Sequence, residues 1–159
     1  MKRWISAILF VVLVLVDQLT KYIAKIKLEG KDAIVLIEDI LEFRYLEGGN
    51  TGAAFGILEG KTTALGILSL VVFGFLCVAY YKLEKKGESK WFLFSIVLMG
   101  AGAIGNCIDR LSYSYVIDFI YFRMIDFPIF NVADCYVTIS AVMLFLLVAC
   151  SKEGEQDAK

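Results

Sequence analysis

The chain has 159 residues and a formal net charge of −1, and 59% of its residues are hydrophobic, more than the roughly half that is usual in soluble domains. Its length indicates a single domain covering residues 1–159. Its mean hydropathy of +0.72 indicates a membrane protein, and the small net charge gives it no general attraction for nucleic acid. The sequence has no histidine, which excludes Ser-His-Asp and Cys-His nucleophilic sites as well as HExxH zinc sites.

The first predicted element is a membrane helix from residue 4 to about residue 24. Two basic residues precede the apolar run Trp4–Val16, an arrangement that also begins secretory signal peptides. No small-residue cleavage site follows the run, and the next residues continue a helical pattern instead. Asp17 and Lys21 are four residues apart, a spacing that permits an ion pair within the helix.

The segment 25–61 predicts a small β-ribbon or sheet between the first two membrane helices. Leu41, Phe43 and Tyr45 alternate with polar residues, the period-two pattern of a strand. A glycine-rich turn at residues 48–52 follows. We expect this sheet to lie on the outer surface, with one apolar face toward lipid or substrate.

Three further apolar segments predict membrane helices at residues 62–81, about 91–108 and about 132–150. Each is close to the ~20 residues needed to cross a bilayer core. The third ends in the small residues of the run 100–106, which predict close helix packing. The predicted fold is therefore an all-α integral membrane protein with four transmembrane helices and a small β element in its first outer loop.

Basic residues orient the four helices. They lie before the first helix, between the second and third, and after the fourth, at Lys2, Arg3, Lys82, Lys85, Lys86, Lys90 and Lys152. The positive-inside rule then places both termini in the cytoplasm and the loops 25–61 and 109–131 outside. This topology brings polar residues that are distant in sequence to one depth on the outer side, an outer cluster of Asp17, Asn106, Asp109, Asp118, Asn131 and Asp134. The tail 152–159 is predicted to be disordered.

Two aspartates of this outer cluster, Asp118 and Asp134, are candidates for a catalytic carboxylate pair, because acids beside hydrocarbon are costly and usually functional. Asn131 and Asp134 have the spacing of a helix N-cap and its N3 acid, so capping alone can explain both. Capping does not explain Asp118, which lies in the apolar segment 116–122. Burial there would raise its pKa.

The remaining polar residues of the cluster have simpler interpretations. Asn106 and Asp109 are three residues apart and share a helix face, and an ion pair between Asp109 and Arg110 would steady the site.

The cysteines form no CxxC motif, and without histidine a mixed zinc site is impossible, so we interpret them as packing residues. They are Cys77, Cys107, Cys135 and Cys150. We expect no metal and no cofactor.

Five ordered blocks resemble the bacterial lipoprotein signal peptidases (signal peptidase II). They are Asp17-Gln18-Leu19-Thr20-Lys21, Asn50-Thr51-Gly52-Ala53-Ala54-Phe55, Gly105-Asn106-Cys107-Ile108-Asp109-Arg110, Val116-Ile117-Asp118-Phe119 and Phe130-Asn131-Val132-Ala133-Asp134. The resemblance covers nearly the whole chain and implies that Asp118 and Asp134 are the catalytic pair. It also implies substrate-binding or supporting roles for Asp17, Lys21, Asn50, Gly52, Asn106, Asp109, Arg110 and Asn131.

The resemblance further implies an aspartic endopeptidase of the bacterial cytoplasmic membrane, with its active site toward the extracytoplasmic side. Its substrate would be a diacylglyceryl-modified prolipoprotein, cleaved just before the lipidated cysteine. Membrane lipid and globomycin-type inhibitors are further expected partners, and a monomer is the expected state. The alternative is a non-enzymatic transporter subunit or scaffold that uses the acids as a proton path. Clustering of the polar groups on one side is evidence against that alternative, because a transport path needs them near the midplane as well.

Overall fold

Four long helices dominate the computed structural model, which describes residues 2–52 and 58–156, apart from the side chains of residues 151–156. They are α1 (Arg3–Leu28), α2 (Thr62–Lys85), α3 (Lys90–Tyr113) and α4 (Val132–Gln156). Each contains a stretch long and apolar enough to cross a membrane, so the prediction of four such helices is confirmed. The helices run several residues beyond the predicted ends, because their polar last turns continue the helix outside the apolar stretch. The expected disorder of the tail is wrong for residues 152–156, which belong to α4, and residues 157–159 lie outside the described part of the chain.

A three-stranded antiparallel sheet connects the two loops at one end of the helices. Its strands are β1 (Ile34–Ile37), β2 (Leu41–Phe43) and β3 (Ile120–Phe122), in that order across the sheet. The predicted small sheet is confirmed, but its confinement to the first loop is wrong, because β3 comes from the segment between α3 and α4. Tyr45 lies beyond the end of β2 and is buried. The short β3 has no period-two alternation that could have revealed it.

Helix α3 is the centre of the bundle. Of its most apolar 18-residue window, 56% is buried, against 11–17% for the other three helices, whose apolar side chains face outward. A Cβ atom on Gly102 would lie 2.5 Å from the carbonyl oxygen of Ala133 in α4, and one on Gly105 would collide with the carboxylate of Asp17 in α1. Neighbouring helices therefore approach the backbone of α3 at its small residues, which confirms the predicted close packing.

The chain after α3 turns back and pairs with the segment that follows β2. Ser114 ends the helix in the left-handed conformation, and Val116 then exchanges two backbone hydrogen bonds with Asn50. Two further backbone bonds follow, from Arg44 to the carbonyl of Phe119 and from Leu46 to the carbonyl of Asp118. These bonds hold the segment 116–119 against the segment 44–50, and this pairing fixes the position of Asp118.

Candidate active site

Helix α1 contributes a fully buried ion pair. The side chains of Asp17 and Lys21 are 0% and 1% exposed, and Lys21 Nζ lies 2.9 Å from Asp17 Oδ2, as the four-residue spacing predicts. The same ammonium lies 3.1 Å from Asp109 Oδ2 and donates a 2.9 Å hydrogen bond to Asn106 Oδ1. An ammonium has three protons, so three partners satisfy it completely. Lys21 therefore joins α1 to two residues of α3.

Gln18 is a site residue to which the sequence interpretation assigned no role. Its Nε2 lies 3.0 Å from Asp109 Oδ1 and 3.1 Å from the Gly105 carbonyl oxygen, and it donates to both. The available signal was its position three residues before Lys21, a spacing that puts both side chains on one face of α1. Gln18 and Lys21 together hold the carboxylate of Asp109 from the α1 side.

The expected ion pair between Asp109 and Arg110 is wrong. Adjacent helical residues do not face each other, and no such pair occurs in the described part of the chain. Asp109 Oδ2 accepts a 3.1 Å bond from the backbone N–H of Ile117, while Arg110 Nη2 donates a 3.0 Å bond to the carbonyl oxygen of Gly52. The two neighbours therefore bind different segments. Asp109 holds the loop that contains Asp118, and Arg110 holds the turn that contains Asn50.

Asn131 and Asp134 form a reciprocal capping box at the start of α4. The Asp134 N–H donates to Asn131 Oδ1 and the Asn131 N–H donates to Asp134 Oδ2, each at 3.0 Å. The predicted capping is therefore confirmed. It uses only one oxygen of Asp134, because Oδ1 accepts a 2.7 Å bond from Asn106 Nδ2 instead. Asp134 both caps the helix and faces the buried cluster.

Asp118 is the second carboxylate of the cluster and is only 1% exposed. Its Oδ1 accepts a 2.6 Å bond from Asn131 Nδ2, and its Oδ2 accepts a 2.8 Å bond from Asn50 Nδ2. Asn50 Oδ1 in turn accepts from the N–H of Gly52, which turns the amide nitrogen of Asn50 toward Asp118. Burial, with a smaller contribution from the nearby charge of Asp134, raises the pKa of Asp118 to about 7.

Two asparagines connect the carboxylates. Asn131 Nδ2 donates both to Asp118 and, at 3.0 Å, to Asn106 Oδ1, and Asn106 Nδ2 donates to Asp134. The predicted site residues are thus brought together by hydrogen bonds and ion pairs. They are Asp17, Lys21, Asn50, Gly52, Asn106, Asp109, Arg110, Asp118, Asn131 and Asp134. Residues 53–55 of the predicted second block lie outside the described part of the chain.

The cysteines take no part in these contacts. Cys107 is buried and its thiol donates to the carbonyl oxygen of Gly66, Cys135 is partly buried, and the other two are exposed. All four are free thiols. Within residues 2–52 and 58–156, no group of three or more cysteine, aspartate or glutamate residues is arranged to hold a metal ion. The arrangement offers one buried carboxylate, Asp118, and one partly buried carboxylate, Asp134, both held by amide donors, a setting for proton transfer.

Comparison with known proteins gives consistent matches over nearly the full chain. The sequence model of a family described as signal peptidase (SPase) II matches residues 9–150. The lipoprotein signal peptidase of Clostridium tetani is 38% identical over 155 residues, covering 96% of each chain, and that of Thermodesulfovibrio yellowstonii is 40% identical over 146 residues, covering 90% of this chain and 93% of the relative. A solved structure described as a bacterial membrane enzyme at 2.3 Å resolution is 34% identical, with a TM-score of 0.82, and the match covers 94% of this chain and 90% of that one.

Proposed function

The chain belongs to the signal peptidase II family, and we propose that Asp118 and Asp134 are the catalytic pair of its peptidase activity. It is a multi-pass bacterial membrane protein with four helices able to span the bilayer, an aspartic peptidase that removes signal peptides from prolipoproteins. One observation carries the proposal for the pair. Two acids sixteen residues apart in sequence are joined by two hydrogen-bonded asparagines: the Asn131 amide donates to Asp118 and to Asn106, and the Asn106 amide donates to Asp134.

The two carboxylates have different surroundings, which support different protonation states. Asp134 is only partly buried, whereas Asp118 is 1% exposed, and burial penalises the charged form of a carboxyl group. Its burial raises the pKa of Asp118 to about 7, so about half of this group keeps its proton at pH 7 and more of it does at lower pH. Two adjacent carboxylates do not both ionise readily. We therefore assign the charge to Asp134 and the proton to Asp118.

This assignment gives each acid a role in hydrolysis. Ionised Asp134 takes a proton from a water molecule, and the water oxygen attacks the scissile carbonyl carbon. Protonated Asp118 donates its proton to the carbonyl oxygen as the tetrahedral intermediate forms. Asp134 then returns its proton to the leaving nitrogen, the C–N bond breaks, and Asp118 recovers a proton from the intermediate as the new carboxyl group forms. No other titratable group is required.

The assignment predicts how activity depends on pH. Because Asp118 must be protonated and its pKa is about 7, kcat/KM is expected to fall about tenfold per pH unit above pH 7. The measurement is the initial rate of substrate cleavage by the purified enzyme from pH 4 to pH 9. A rate that rises between pH 7 and pH 9 would reverse the assignment.

The substrate that this site supports is a prolipoprotein whose cysteine already carries diacylglycerol, with cleavage just before that cysteine. Acids near the outer end of the helices suit such a substrate, because its acyl chains can stay in the bilayer. The test is incubation of the purified protein with a diacylglyceryl-modified prolipoprotein, with and without globomycin. We expect cleavage that globomycin inhibits, with the unlipidated precursor left intact as the matched control. Equal cleavage of both precursors would exclude the lipid requirement.

We place the carboxylate cluster on the extracytoplasmic side of the cytoplasmic membrane. The support is the basic region where α2 ends and α3 begins, in which Lys82, Lys85, Lys86 and Lys90 are all exposed at the opposite end of the helices.

The orientation is tested by labelling from outside. A cysteine introduced at Gly87, in the exposed loop between α2 and α3, is expected to resist a membrane-impermeant thiol reagent in intact cells and to react after lysis. The exposed Cys77 and Cys150 should be replaced by serine in the labelled protein, so that the labelling signal comes from residue 87. A cysteine at the exposed Asp39 is the matched positive control, because that residue lies in the opposite loop. Labelling at 87 but not at 39 in intact cells would invert the topology.

A further inference from the structure

At the end of the bundle away from the aspartates, α1 and α2 both pack on α3 and leave a cleft between them. The cleft has a volume of about 350 Å³, within the range of sites for small ligands. Its walls are mostly apolar and include Ala7, Phe10, Val11, Phe73, Leu76 and Ile96. None of these residues contacts the carboxylate cluster, so the cleft is separate from the candidate active site.

Gly100 of α3 forms part of the floor of this cleft. A Cβ atom there would lie 3.3 Å from the ring of Phe73, and the rings of Phe10 and Phe73 stack with their centroids 5.2 Å apart. The mouth, in contrast, is polar. The hydroxyls of Ser6 and Tyr80 lie 2.6 Å apart. The cleft is therefore apolar inside and polar at one end. This distribution matches a lipid, in which an apolar acyl chain is joined to a polar headgroup.

The mouth is also strongly basic. Six exposed cationic side chains lie at this end of the helices, with two acids, Glu84 and Glu88; the cations are Lys2, Arg3, Lys82, Lys85, Lys86 and Lys90. Arg3 Nη2 lies 2.7 Å from Glu84 Oε2, yet 58% of the arginine side chain remains exposed and can reach a second anion. Clusters of cations beside membrane helices attract anionic lipid headgroups.

We propose that this cleft binds one anionic phospholipid. An acyl chain lies between α1 and α2 along Phe10 and Phe73, and the phosphate lies beside Arg3 and Lys85, whose cationic groups both lie over the ring of Tyr81. A substrate signal peptide is the less suitable occupant, because its basic n-region would meet cations at the mouth.

Lipid retention by the full-length protein tests the proposal. Native mass spectrometry would compare phosphatidylglycerol with phosphatidylcholine of identical acyl chains, so that only the headgroup differs. We expect one bound phosphatidylglycerol, retained at least about fivefold more than phosphatidylcholine, given the cation cluster at the mouth. Equal retention of the two lipids would overturn the headgroup assignment.

Three variants locate the bound lipid. Ala7→Trp fills the cleft and is expected to abolish retention of both lipids, while peptidase activity stays unchanged because Ala7 lies far along α1 from the aspartates. Val12→Trp is the matched control, since Val12 is on the same helix, 48% exposed and outside the cleft, and it should keep full retention. Arg3→Gln combined with Lys85→Gln should remove the headgroup preference and keep the bound chain. Equal loss in the Ala7 and Val12 variants, or an unchanged preference in the double variant, would contradict the proposed site.

Discussion

Asp118→Asn is expected to abolish signal-peptide cleavage, with kcat/KM lowered by at least about 10²- to 10⁴-fold, the usual contribution of a positioned acid or base. The amide has the shape of the carboxyl group but no proton that it can transfer at neutral pH. Asp134→Asn should have a similar effect, because an amide cannot take a proton from water. The measurement is the cleavage rate of a diacylglyceryl-modified prolipoprotein by each purified variant.

The stability of the Asp118→Asn variant separates a catalytic from a structural role. The pKa of Asp118 in the folded protein, about 7, lies above the ordinary carboxyl value of ~3.9, so its ionisation destabilises the fold as pH rises from about 4 through 7. The amide that replaces the carboxyl group cannot ionise. The variant is therefore expected to melt at a higher temperature than the wild type at pH 8, and the difference should shrink toward pH 4. A variant that is inactive and more stable has lost chemistry rather than structure.

Asp39 offers a matched control for the Asp118→Asn variant, on the same side of the molecule. Asp39 is 82% exposed and pairs with Arg123 only at 3.9 Å, a surface contact of little energetic value. Its backbone is left-handed, with φ of 58°, a conformation that asparagine also tolerates. Asp39→Asn should keep near wild-type cleavage. An Asp118→Asn enzyme that matched it would remove Asp118 from the catalytic pair.

Several features of the site were predictable because they depend on local spacing. The ion pair of Asp17 and Lys21 requires only a helix and a four-residue interval, and the capping box of Asn131 and Asp134 requires only a helix start. Hydropathy located the four membrane helices for the same reason. Their true ends extend beyond the apolar stretches, because hydropathy reports contact with lipid and helical hydrogen bonding continues past it.

Other features depend on pairing between distant segments and were not predictable. The position of Asp118 results from backbone bonds that hold its segment against residues 44–50, and β3 forms because β2 offers it a free edge. Arg110 was expected to pair with its neighbour Asp109 and instead binds the carbonyl of Gly52, 58 residues away. Local sequence contains no information about which distant carbonyl a side chain will reach.

Gly49 shows the same limit at one residue. The sequence indicates a turn there, and the backbone φ of 69° agrees with that interpretation. The structure adds that the ring of Tyr115 occupies the space where a Cβ atom would be. This contact holds the turn against the segment that leads to Asp118, next to Asn50. A tertiary contact of this kind leaves no local pattern in the sequence.

Lys21→Met is expected to destabilise the folded protein by about 3–5 kcal/mol and to reduce cleavage strongly. Removing the ammonium leaves Asp17 and Asp109 as buried carboxylates without their cation, and breaking a buried ion pair from one side usually costs that much. Activity falls as well because Asn106 loses the donor that helps fix its amide toward Asp134. Thermal unfolding in detergent and cleavage rates measure the two effects.

Two further variants separate the charge from its position. Lys27→Met removes an exposed lysine from the same helix and should change neither stability nor cleavage. Lys21→Met combined with Asp17→Asn restores the net charge of the buried group, and the new amide oxygen can still accept the N–H of Ala133. The double variant should therefore recover part of the lost stability, since Asp109 still lacks its cation. Its cleavage should stay low, because the amide of Asn106 still lacks the ammonium. Recovery of both properties would mean that Lys21 acts through charge balance alone and that Asn106 does not need it for orientation.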